Sequence, residues 1–153
     1  DSNDNKVEIG NIGRLAEDMD PDEALVIFPE GTRFSQTKLE RSIQVLAKMA
    51  PQRLEAVKGL RRVLPIRVPG VLSLLQHNDD ADLVLLNHVG VGDFSSLLDL
   101  WRNIPFSKQL KFMVERLDRQ EVPGVDQREE LVRYLDSLWV GFDEWVLHRE
   151  SVK

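Results

Sequence analysis

Five residues, Ala24-Leu-Val-Ile-Phe28, lie between Pro21 and the string Pro29-Glu30-Gly31. A short run of β-favouring apolar types, closed at both ends by turn formers, predicts a buried central strand that stops at a tight turn. A strand covered on both faces needs helices around it, and the flanking segments supply them. Ile9, Ile12, Leu15, Ala16 and Met19 recur at spacings of three and four, which predicts a helix stopping near Asp20-Pro21. Leu39, Ile43, Leu46, Ala47 and Ala50 form a second helical stripe over 38–50, and Pro51 ends that helix or opens the next.

Val63 to Arg67 is interrupted by Pro65 and followed by Pro69-Gly70, which predicts a loop or edge segment leading into a helix over 71–76. Residues 82–87 predict a second buried strand, 94–101 a short helix, and 110–116 a third strand with alternation at Leu110, Phe112 and Val114. From Asp126 to Arg149 a helical stripe collects Leu131, Tyr134, Leu135, Leu138, Trp139, Phe142, Trp145 and Val146. Asp126, Glu129 and Glu130 stand at the dipole's positive end. Strands alternating with helices give an α/β fold, a layered sheet with flanking helices. Three strands fall short of the roughly five or six of an ordinary sheet, so part of the sheet is expected to be missing.

The chain has 153 residues, 42% of them hydrophobic and 30% charged, which suits one globular domain over 1–153. No apolar run reaches the roughly 18 to 20 residues that span a bilayer, and the acidic start lacks the pattern of a signal peptide. Zero cysteines exclude a disulfide framework, a zinc ribbon and thiol chemistry, and suit a reducing compartment, so a cytoplasmic location is expected. The net charge of −6 hides an asymmetry. Residues 1–30 hold nine acids and two bases, 31–67 nine bases and two acids, and 68–153 fifteen acids and nine bases. A basic island in an acidic chain suits a phosphate, a nucleotide or a lipid headgroup, or else is a solvated helix face. The sequence pI of about 5.1 argues against a nucleic-acid partner, whose domains usually lie above about 9.

The chemistry concentrates in Phe28-Pro-Glu-Gly-Thr-Arg33, where the basic island begins. Pro29 and Gly31 allow a tight turn whose backbone N–H groups can face an anion at a strand's carboxyl end. Arg33 has a planar fork that can hold two phosphate oxygens, Thr32 adds a hydroxyl, and Glu30 can orient Arg33 or accept from a ligand hydroxyl. Pro-x-Gly is also an ordinary turn.

The whole string resembles the phosphate-binding block of the glycerolipid acyltransferases, the 1-acylglycerol-3-phosphate and glycerol-3-phosphate acyltransferase family, at all six positions from Phe28 to Arg33. Val63-Leu-Pro65-Ile-Arg67 with Pro69-Gly70 resembles that family's later proline block. Tyr134-Leu-Asp-Ser-Leu-Trp139 with Phe142-Asp-Glu-Trp145 resembles the closing helix of bacterial members. The resemblance implies a glycerol-3-phosphate acyltransferase-like fold, with Glu30, Gly31, Thr32 and Arg33 binding the acceptor's phosphate and glycerol and Pro65 shaping the acyl or acceptor pocket. It also implies a reaction in which an acceptor hydroxyl, on a lysophospholipid or glycerol phosphate, attacks the thioester of acyl-CoA or acyl-carrier protein. No cofactor is implied. The family's base is a His followed after four residues by an Asp, ahead of this block. No His precedes Phe28 here, so the chain is expected to be the C-terminal part of a longer protein, incomplete and inactive alone. The alternative reading is a noncatalytic phosphate- or lipid-binding module of the same kind.

His88 and Asp93 repeat the His-to-Asp spacing, but after the proline block, where a loop His capping nearby backbone is expected instead. Gly90 and Gly92 alone do not make a nucleotide loop, and His77 and His148 lack neighbours at metal-ligand spacing, so no metal is expected. The stripe of Tyr134, Trp139, Phe142 and Trp145 reads as core, with peripheral membrane contact as its other reading. A truncated sheet would leave an open edge and apolar surface, from which self-association into a homo-oligomer is expected.

Overall fold

The computed structural model describes residues 2–20, 22–90 and 109–151. Helix α1 spans Ser2–Glu17, α2 Gln36–Met49, α3 Pro51–Val57, α4 Val68–His77 and α5 Arg128–Ser151; strands β1, Leu83–Val89, and β2, Lys111–Leu117, complete the described elements with a short 3-10 turn at Arg119–Glu121. The chain is thus mixed α/β, with five α-helices and a two-stranded antiparallel sheet among the described residues. The predicted helix over 94–101 lies outside them.

Local chemistry sets the boundaries. The Ser35 hydroxyl caps α2 by accepting from the Lys38 amide at 3.3 Å, which occupies one of the first-turn donors. Ala50 ends α2 and Pro51 opens α3, where a missing N–H costs nothing. Helix α4 begins at Val68, before the predicted 71, because Pro69 fits a first turn.

Helices α1 and α4 pack where Gly13 leaves room for Ser73 and His77. A methyl at Gly13 would stand 2.6 Å from the His77 ring. Beside it the Asn78 amide donates to the Ala16 carbonyl at 3.1 Å. The core gathers Val57, Leu60, Leu64, Ile66 and the α4 residues Val71, Leu72 and Leu75 against Leu131, Leu135, Trp139 and Phe142 of α5. Within the predicted tail stripe Leu131, Leu135, Trp139, Phe142 and Val146 are buried, and Trp139 and Phe142 meet with ring centroids 5.1 Å apart. Packing is therefore the state of those two rings.

Two expectations are corrected. The segment 24–28 has no regular secondary structure and is not buried: Val26 and Phe28 are 74% and 83% exposed. Among the described residues no strand lies beside it, and an apolar run without a ladder partner satisfies neither its backbone nor its side chains. The strand predicted over 82–87 forms as β1 but has only one covered face. Leu85 points inward, while Val84 and Leu86 pair with Arg116 and Val114 on the open face. The alternation in β2 reads the same way. Phe112 and Val114 are on the exposed side, and the inward side carries Met113 and Leu117. The layered sheet is, among the described residues, this single antiparallel pair. Asp82 ties its open end, accepting from the Arg119 amide at 3.0 Å and from Arg116 at 2.7 Å, contacts that hold its carboxyl below the ordinary range.

The burial pattern makes a contrast measurable by urea denaturation. Leu135→Ala, at a position 2% exposed, is expected to cost about 2 to 5 kcal/mol. Leu86→Ala, at a position 61% exposed on the sheet's open face, is expected to cost less than about 1 kcal/mol. Equal losses would mean that the open face is covered in solution.

Candidate functional site

The Phe28–Arg33 string folds into a tight turn. The Gly31 amide donates to the Phe28 carbonyl at 2.8 Å, with Pro29 in the position its fixed φ favours. Gly31 has φ +71°, in the left-handed region that a Cβ penalises. The segment after Leu64 runs alongside. The Arg67 amide donates to the Pro29 carbonyl at 2.7 Å, fixing that segment to the turn.

Glu30 faces inward. One carboxylate oxygen accepts from the Leu64 amide at 3.1 Å and the other from the Trp139 indole at 3.3 Å. Burial pushes its carboxyl above the ordinary value, with these two donors pulling the other way. Its contacts are with the protein's own frame, and it holds the turn to α5. Pro65 is buried, between the buried Leu64 and Ile66.

Thr32 and Arg33 are exposed. The Lys38 ammonium donates to the Thr32 hydroxyl oxygen at 2.7 Å and to the Arg33 carbonyl at 3.1 Å. Since Lys38 fills an acceptor lone pair, the Thr32 hydroxyl proton stays available to a ligand oxygen. Lys38 is not among the residues that the sequence singles out. Its signal was available as a cation one helical turn past a turn-capping Ser35.

Arg67 was likewise read only as part of the proline block, yet its guanidinium lies over Gly31. A Cβ there would be 2.7 Å from its Cζ and Nε. Arg33, Lys38 and Arg67 are thus exposed residues at one turn, and the Glu30 carboxylate within it is turned toward Leu64 and Trp139. Such a turn can bind an anion through charge-assisted hydrogen bonds.

Other candidates are placed elsewhere. His88 is exposed within β1, opposite Phe112, rather than capping a loop, and its amide donates to Asn87 at 2.8 Å. Asp93 lies outside the described residues. His77 is 2.8 Å from the Ser73 carbonyl, a structural contact within α4, and His148 is exposed near the end of α5. Among the described residues no cluster of three or more His, Asp or Glu could hold a metal.

Two buried carboxylates escaped the sequence reading. Asp136 makes a two-pronged pair with Arg53, at 2.9 and 2.6 Å, and Arg53 also donates to the Ile66 carbonyl at 3.2 Å. Asp143 accepts from three successive amides, Arg61, Arg62 and Val63, at 2.8, 2.5 and 3.1 Å. Their signal was position: both fall at the border of the apolar stripe on α5, seven residues apart.

The raised Glu30 carboxyl predicts how stability depends on pH. Its folded-state pKa exceeds the unfolded one, so its titration favours the fold below the ordinary glutamate range, and that contribution is lost as pH rises through the raised value. Glu30→Gln cannot titrate there. Urea midpoints across this window are expected to show wild type losing stability relative to Glu30→Gln as pH rises; the opposite slope would contradict the burial.

Compared with protein-family models, with curated proteins and with solved structures, the chain finds no match.

Proposed function

We propose that this chain carries the acceptor-phosphate site of a glycerolipid acyltransferase and folds as part of a glycerol-3-phosphate acyltransferase-like domain. The observation that carries the reading is the 28–33 turn. Its six residues match that family's block, and its fold turns Glu30 inward while Thr32, Arg33 and Lys38 stay at the surface. An acceptor held there by its phosphate would offer its glycerol hydroxyl to an acyl thioester of CoA or carrier protein. Lysophosphatidate-type acceptors fit a turn with exposed cations, because their phosphate keeps two ionisable oxygens. The chain would work at the inner membrane face, as its acceptor is a lipid. Among the described residues no helix is long and apolar enough to cross a membrane.

Binding and chemistry are separable here. A general base must take the hydroxyl proton as the thiol leaves, and no His precedes the turn in this chain.

Arg33→Ala is expected to weaken glycerol 3-phosphate binding by roughly 30- to 150-fold, about 2 to 3 kcal/mol for a lost charge-assisted contact, read by calorimetric titration. Equal affinity in both proteins, or no binding by wild type, would overturn the site. Thiol release from acyl-CoA with lysophosphatidate is expected to match a blank without protein. Turnover abolished by His88→Ala would instead make His88 the base, since loss of a true base costs roughly 10²- to 10⁴-fold. Binding with no turnover, even when an upstream His-and-Asp block is supplied, would favour the noncatalytic phosphate-binding module.

A further inference from the structure

We propose that Arg67 is a second guanidinium arm of this anion site and that it makes the site select a doubly charged phosphomonoester over a singly charged phosphodiester. The inference rests on the reading of the 28–33 turn as the acceptor site, and adds a residue from a different stretch of chain.

Arg67 stands where the buried run Val63 to Ile66 returns to the surface. Its backbone is fixed to the turn by the 2.7 Å bond from its amide to the Pro29 carbonyl. Its side chain lies against the turn. The guanidinium covers the bare Cα of Gly31, where an added Cβ would lie 2.7 Å from Cζ and Nε and 2.9 Å from Nη1. The positive φ favours glycine at this position, and its bare Cα leaves the room the guanidinium occupies.

Among the described residues no carboxylate meets the charge of Arg67. Arg53, Arg62 and Arg116 have carboxylate partners in Asp136, Glu150 and Asp82. Among the described residues the Arg67 guanidinium makes no ion pair and no hydrogen bond, and the Glu30 carboxylate is committed to Leu64 and Trp139. A planar fork beside the turn with unused donors can grip two oxygens of one anion. With Arg33 two residues beyond Gly31 and Lys38 on Thr32, three cations share one turn. A phosphomonoester near neutral pH carries close to two charges and three terminal oxygens, enough for two forks. A phosphodiester has one charge and two such oxygens, so the second fork gains little from it.

The test compares glycerol 3-phosphate with its phosphate methyl ester, a phosphodiester, by calorimetric titration of wild type, Arg67→Gln, Arg67→Lys and Arg33→Ala. Arg67→Gln is expected to weaken the monoester roughly 10- to 100-fold and the diester less than about threefold, so that selectivity collapses. Arg67→Lys keeps the charge without the fork and should fall between, and it serves alone if Arg67→Gln fails to unfold cooperatively. Binding weakened by Arg33→Ala but unchanged by both Arg67 variants would overturn this inference and leave the turn reading intact. An equal loss for both ligands would overturn the selectivity. Absence of monoester binding by wild type would remove both.

Discussion

One face of α5 holds the structure together through polar contacts as much as apolar ones. Asp136, Trp139 and Asp143 are spaced by three and four, so they look out from the same side of the helix. Each takes hold of a different piece of chain: Asp136 of Arg53 on α3, Trp139 of Glu30 in the turn, and Asp143 of the amides of 61–63. Breaking a buried pair such as Arg53–Asp136 leaves an uncompensated charge, at a cost of about 3 to 5 kcal/mol, whereas a buried pair need add little net stability over an apolar one. These contacts therefore matter most for geometry. They fix where the 61–67 segment lies, and so where Arg67 emerges.

That geometry decides the electrostatics of the turn. Glu30 is the one acid of the Phe-Pro-Glu-Gly-Thr-Arg string, and if its carboxylate faced outward it would neutralise a neighbouring cation. Trp139 and the Leu64 amide hold it inward, at the cost of the desolvation that raises its pKa. A motif that reads as neutral in sequence thus becomes cationic at its surface. The basic island over 31–67 then has a local form, with Arg33, Lys38 and Arg67 around a single glycine.

Sequence periodicity located the helices well, because burial of one face leaves a mark every three or four residues: the stripes over 38–50 and 126–149 became α2 and α5, and Pro51 opened α3. It located the turn because Pro29 and Gly31 act through local backbone preferences. It failed where the outcome depends on a partner. The run 24–28 has strand composition, but a strand is made by its neighbour, and β1 and β2 are covered on one face only. Side chains that reach across the chain leave no local mark: nothing in the periodicity of 126–149 singles out Asp136 or Asp143, and Arg67 is one residue of a proline-rich segment. Separations of 34 to 109 residues join Glu30 to Leu64 and Trp139, and no local pattern encodes them.

The mismatch between predicted burial and observed exposure has its own physical meaning. Val26, Phe28, Val84, Leu86, Phe112 and Val114 are the residues whose types ask for a core, and they stand in water. Fully burying such a side chain is worth about 1.5 to 3 kcal/mol, so this surface carries a substantial drive toward association with something apolar. Phe28 brings one such exposed ring next to the cations in the chain, because it opens the turn that Arg33 closes. A free phosphate would use the cations and leave the ring in water. An amphiphile with a phosphate head and an acyl tail would satisfy both, and that is the class of acceptor our proposal names.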